Sequence, residues 1–242
     1  TNPALAFKSS FQTSSVGSAQ ITNYSTISAE TDDYLFKVDY LSCQSQSNTG
    51  NQTSRPQAWA KNIVSVGGVQ HNNTLTRADD GNSGASFGPA ADGRTKPELA
   101  HFYDSIYTTT SGTGYTQFGG TSGATPITAG HFGLMMQMWH EGAFAGFGGG
   151  TSVFADRPQS ATAKALMMST AYRYPLTQLA RVRQGWGMAD VGNMYNLRNK
   201  MLIVNQSDLL TNAQTKTYNV NVAAGEPVMA VTMSYKDPMG NP

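Results

Sequence analysis

The run KNIVSVGGV at residues 61–69 sets the first limit on the fold. It is rich in β-branched residues and closed by glycines, the pattern of a strand buried on both faces. Such a strand needs covering layers on either side, which points to an α/β architecture. Helices to supply them are at hand. PITAGHFGLMMQMWH (126–140) is long and apolar enough for a buried helix starting near Pro126, and SATAKALMMSTAY (160–172) reads as a second. GFGGGTSVFADRPQ between them is a loop. Nearer the start, SAETDDYLFKVDYLSCQSQSN (28–48) reads as a helix running into a strand. Tyr34, Leu35 and Val38 recur at helical spacing, and Ser28, Asp32 and Asp33 load the first turns. Tyr40–Cys43 then reads as a buried strand.

The character of the chain changes near residue 195. MLIVNQ, TKTYNVNVA and PVMAVTMSY alternate apolar and polar residues between turn formers, which predicts successive antiparallel strands. Three such strands are too few for a stable sandwich. The expected division is therefore residues 1–195 as the larger domain and 196–242 as the beginning of a truncated β-sandwich.

Composition narrows the function. The net charge is +1 and no basic block occurs, so nothing calls for a nucleic acid or an anionic membrane surface. No apolar run approaches the ~20 residues of a membrane span. A single cysteine, Cys43, excludes an intrachain disulfide and an all-cysteine zinc site. Charged residues make up only 13%, and with 25 glycines and abundant small polar residues this suits an exported enzyme.

The stretch QFGGTSGATP (117–126) raises the chemical question. Ser122 lies among small residues just before a helix, where backbone N–H groups lack partners and anions are favoured. Spacing alone equally describes a serine that caps its helix. The wider pattern decides between them. GGTSGATPITAG resembles the serine-nucleophile signature of the subtilisin-like serine proteases, with Ile127 where a histidine is common. GPAADGRTKPEL, AWAKNIVSVGGV, ATAKALMMSTA and QGWGMADVGNMY resemble further segments of the same catalytic domain.

The resemblance implies a three-layer α/β fold with a mainly parallel sheet, its N-terminal part outside this chain, followed by an incomplete antiparallel β-sandwich. It implies hydrolysis of peptide bonds through an acyl-enzyme on Ser122, with Asn48 of SQSNTG as a side-chain oxyanion donor. Substrate strands are expected along two edges, Asn23, Tyr24 and Ser25 on one side and Ser45, Gln46 and Ser47 on the other. Both edges depart from the family pattern, so a non-catalytic peptide-binding homologue and an inactive truncated fragment stand as alternatives. No cofactor is required. A structural calcium would be compatible with Asp79, Asp80 and Asn82 in RADDGNSG, although those residues by themselves read as a solvated loop. The expected partner is a peptide or protein substrate, with homodimerisation through surfaces that truncation would expose.

A serine nucleophile needs a base oriented by a carboxylate. The chain has four histidines. His71 falls in a polar turn, His101 in the segment leading to the nucleophile, and His140 near a helix end. His131 lies nine residues beyond Ser122, about 13–14 Å along a helix. All four read as structural. NPALAFKSSF (2–11) resembles the segment that follows the catalytic histidine helix, so the Asp and His are expected upstream.

Overall fold

A computed structural model describes residues 8–242. In chain order its elements are β1 (Phe11–Ser14), α1 (Thr26–Lys37), β2 (Leu41–Ser45), β3 (Val64–Gln70), β4 (Gly81–Asn82), β5 (Leu99–Phe102), β6 (Ile106–Thr109) and β7 (Tyr115–Phe118). α2 (Thr121–His140), α3 (Ser160–Thr170), α4 (Arg181–Gln184) and α5 (Val191–Leu197) follow. β1, β2, β3 and β5 are consecutive neighbours in one parallel sheet. The two-residue β4 adds an antiparallel pair at the end of β3, and β6 with β7 forms a separate antiparallel hairpin.

The buried-strand pattern is realised, since Val64 through Val69 are all buried. Val64 and Val66 face the main core, built with Leu41, Cys43, Leu99 and the Phe132, Met135, Met136 and Trp139 side of α2. The alternate residue Val69 faces a second cluster with Ala100, Tyr174, Leu179 and Met188. Helical and loop layers thus cover both faces of the sheet. Asp39 ties α3 to the start of β2, accepting from the Ser160 backbone N–H (3.0 Å) and hydroxyl (2.8 Å).

Three sequence expectations change. The helix expected from Pro126 begins five residues earlier, at Thr121. Asp32 is not a solvated helix-terminus acid: it is fully buried and accepts from the backbone N–H groups of Lys61 and Asn62 and from the Tyr24 hydroxyl. Finally, the alternating C-terminal segments form no strands, for residues 201–242 contain no regular element beyond turns. Val228, Val231 and Met233 are 72%, 80% and 82% exposed. Alternation specifies a half-buried strand only where a partner strand and a covering face exist, and nothing among the described residues supplies either.

Candidate active site

The nucleophile turn is assembled from three directions. Gly120 precedes α2 with φ +88°, left-handed backbone that glycine adopts without strain. A side chain there would also come within 3.1 Å of the Asn48 amide nitrogen. Thr121 then fixes Asn48: its N–H and hydroxyl donate to Asn48 Oδ1 at 2.8 and 2.9 Å. With Oδ1 engaged, the amide Nδ2 is left as a donor beside Gly120.

The helix start leaves one more donor. The Thr121 N–H goes to Asn48, while the Gly123 and Ala124 N–H groups reach the Gly120 carbonyl at 2.9 and 3.3 Å. The Ser122 N–H has no partner among the described residues. Ser122 Oγ, half-buried, is likewise free of hydrogen bonds there. Two donors without partners among the described residues, Ser122 N–H and Asn48 Nδ2, therefore lie at the helix N-terminus that carries the Ser122 hydroxyl.

Pro126 explains how this turn connects to the sheet. Its ring nitrogen carries no hydrogen, so the Ser122 carbonyl lacks its i+4 donor. Ser15 supplies one, its Oγ donating to the Ser122 carbonyl at 2.9 Å. Ser15 follows β1 directly and was not singled out from sequence. The signal available was Pro126 itself, which demands an outside donor for a carbonyl at the functional turn.

The two expected substrate edges behave differently. Asn23, Tyr24 and Ser25 precede α1, and none of their contacts reaches the nucleophile turn. Tyr24 donates to Asp32 (2.9 Å) and accepts from the Gly240 N–H (3.0 Å). Burial first, then the neighbouring Asp32, pushes its hydroxyl up to about 12. An open groove of about 290 Å³ lies there, lined by Asn23, Tyr24, Ala90, Ala91, Asp92 and Arg94. Ser45, Gln46 and Ser47 do adjoin the turn, but as a buried segment with committed backbone groups. The Gln46 N–H reaches Val66 O (3.0 Å), the Ser47 N–H reaches Thr121 Oγ1 (3.2 Å), and Ser47 O accepts from Ser86 (2.7 Å). The segment after β1 does reach the turn through Ser15, and Val16 and Gly17 next to it are exposed.

Gln46 is fully buried, and neither of its amide atoms has a hydrogen-bond partner. Leaving such groups unsatisfied costs about 1–3 kcal/mol. Gln46→Met, of similar volume, is therefore expected to raise folding stability by about that amount in urea unfolding.

None of the histidines is hydrogen-bonded to Ser122 Oγ. His71 pairs with Asp104 (2.9 Å), His140 with Asp156 (3.0 Å), and His101 Nε2 meets His131 Nε2 at 3.3 Å. Cys43 is no competing nucleophile, since complete burial pushes its thiol pKa up. The acidic loop does not fit a cation. Asp79 accepts from the Thr74 hydroxyl (2.9 Å), whereas Asp80 is buried and bonded to the Tyr174 hydroxyl. The two carboxylates serve separate hydroxyls, and Asp80 is not the solvated residue expected from sequence. No helix among the described residues is long and apolar enough to cross a membrane.

Comparison with known proteins bears on the fold and the family. The chain matches the Subtilase family over residues 10–187. No curated protein matches. Among solved structures, the chain is similar to Patellamide maturation protease PatA, at 16% identity and TM-score 0.54, covering 76% of this chain and 60% of that one. A mutant of the protease domain of PatA gives 14% and 0.57, covering 79% and 61%. Prenylagaramide maturation protease PagA gives 14% and 0.52, covering 68% and 52%. At such identities the likeness concerns the fold, and the chain spans less than two thirds of each of these structures. The family match covers well over half of the sequence: the chain belongs to the subtilase family of serine proteases.

Proposed function

We propose that Ser122 is the nucleophile of a peptide-bond hydrolase, and that its own N–H and Asn48 Nδ2 hold the oxyanion. The observation that carries this reading is the pair of unengaged donors at the helix start that carries a free hydroxyl. Ser122 Oγ attacks the scissile carbonyl and passes its proton to a base. The carbonyl oxygen becomes an oxyanion between the two donors, and its collapse expels the amine with that proton. Water then hydrolyses the acyl-enzyme by the same route. Fixed donors count because they need no reorganisation as charge develops, and loss of one such amide donor costs ~100- to 1000-fold in turnover. The base and its orienting carboxylate are assigned to a segment outside this chain.

A fluorophosphonate probe tests the reading. Joined to an upstream segment bearing His and Asp, the chain is expected to be labelled at Ser122, read by mass spectrometry, and Ser122→Ala to abolish the label. Absence of label in that longer protein would overturn it. Peptide binding without turnover is the second reading. One observation bears on it: the Gln46 and Ser47 N–H groups and the Ser47 carbonyl are already paired, where the family resemblance leads one to expect an edge for the substrate of a cleaving enzyme. The low charged fraction supports export of the parent protein.

A further inference from the structure

Two segments leave the C-terminal ends of neighbouring parallel strands beside Ser122: Ser15–Gln20 after β1, and Gln46–Asn48 after β2. Contacts join them into a closed ring with the nucleophile turn. Ser15 Oγ donates to Ser122 O (2.9 Å), the Ser47 N–H donates to Thr121 Oγ1 (3.2 Å), and Gln20 Nε2 donates to Ser47 Oγ. Gln44 Nε2 adds a cross-tie to Val16 O at 2.9 Å. On the other side of the turn, Ile106 and Phe118 of the hairpin stand against Gly123 and block it. With the hairpin side filled, the side of the two segments is where the α-carbon substituent of a carbonyl held by Ser122 N–H and Asn48 Nδ2 is to be placed.

The gap between the two segments is bridged at a cost. Ser47 has φ +103°, left-handed backbone that a side chain makes strained and a glycine would not. What the strain retains is the hydroxyl of a residue that is 3% exposed, and it accepts from the side chain of the exposed Gln20. Retained strain beside a reactive group is a mark of function.

We propose that Gln20 and Ser47 restrict the residue on the acyl side of the scissile bond to glycine or alanine. This selectivity rests on the reading of Ser122 as nucleophile. Glycine fits a bridged gap because it has no substituent to place, and alanine adds one methyl group. A phenylalanine ring has to displace Gln20.

Two peptide aldehydes test it, acetyl-Ala-Ala-Pro-glycinal and acetyl-Ala-Ala-Pro-phenylalaninal. Each fixes its register by adding the serine O–H across the aldehyde to form a hemiacetal. Titrated calorimetrically into the longer protein bearing His and Asp, glycinal is expected to bind at least about tenfold tighter than phenylalaninal, the discrimination a pocket of limited volume achieves. In Gln20→Ala/Ser47→Gly the preference is expected to invert. A merely structural role would weaken both ligands alike, and the thermal midpoint of the variant, expected to be no lower than that of the parent, shows that it folds. Equal affinities in the unsubstituted protein, an unchanged preference in the variant, or no binding of either aldehyde overturns the proposal. Fluorophosphonate labelling of Ser122 alongside these titrations separates the two failures: label without aldehyde selectivity sinks the selectivity alone, and absence of label in the longer protein sinks the nucleophile.

Discussion

Glu98→Gln is expected to remove about 3–5 kcal/mol of folding stability, the usual cost of deleting one partner of a buried ion pair. Against a total of ~5–15 kcal/mol, that is a large share. Glu98 accepts from Lys96 (2.7 Å), Lys164 (3.1 Å) and the Ser65 N–H (2.8 Å) and hydroxyl (2.7 Å). Burial alone would raise its carboxyl pKa, but Lys164 and Lys96 outweigh burial and hold it below the usual range. Glutamine keeps the shape and leaves two ammonium groups facing each other, Lys96 being completely buried. Burial already pushes Lys96 down to about 8, opposed by Glu98. Its folded pKa therefore lies below its unfolded value, so the unfolded chain holds the extra proton and stability rises with pH across that window. Removing Glu98 lowers the folded pKa of Lys96 further, so the deficit of Glu98→Gln is expected to shrink as pH rises toward about 8 and to stay level above it, where Lys96 is uncharged in both folded proteins. Urea midpoints at pH 7 and pH 10 check both parts, and equal deficits at the two pH values would contradict the account.

Acid is expected to find a second weak point at His101. Burial pushes it down to about 3 from 6.5, with His131, Arg77 and His71 adding repulsion. A base with a depressed folded pKa contributes stability that is complete above pH 6.5 and is lost as pH falls toward 3. The shift corresponds to a loss on the order of 5 kcal/mol over that window. This loss begins well above the range in which carboxylates titrate. His101→Gln is expected to lower by about one the number of protons taken up on unfolding between pH 6.5 and 4. Stability measured against pH in both proteins decides it, and parallel curves would exclude His101 as the cause.

Local periodicity made the central layers of the fold legible. The glycine-bounded apolar run became β3, buried on both faces, and the segment SATAKALMMST became α3. What failed depended on partners distant in sequence. Pro126 marks a first helical position by local rule, yet here it lies inside α2, because Asn48 caps the helix from a loop 73 residues away and Ser15 takes over the stranded carbonyl. Asp32 carries a helix-start signal in sequence but serves as a buried anchor for Lys61 and Asn62. The family pattern singled out Ser122 and Asn48, and Asn48 is hydrogen-bonded to the residue before Ser122. It also singled out Asn23, Tyr24 and Ser25, whereas the segment bonded to the Ser122 carbonyl is the one after β1, because strand order, which local pattern does not carry, decides which segment adjoins the turn. The C-terminal alternation was legible as a pattern and not as a structure, for pairing requires a second strand.

The hydrogen bond from Ser15 to the Ser122 carbonyl carries a dynamic consequence. Among the described residues β1 pairs with β2 alone. Local opening of a strand is reported directly by amide hydrogen exchange. Each time β1 frays, the Ser122 carbonyl loses its donor and the first turn of α2 loses a tether that Pro126 cannot replace. Order at the nucleophile turn therefore depends on the placement of a four-residue strand as well as on the well-packed helix on which the serine stands.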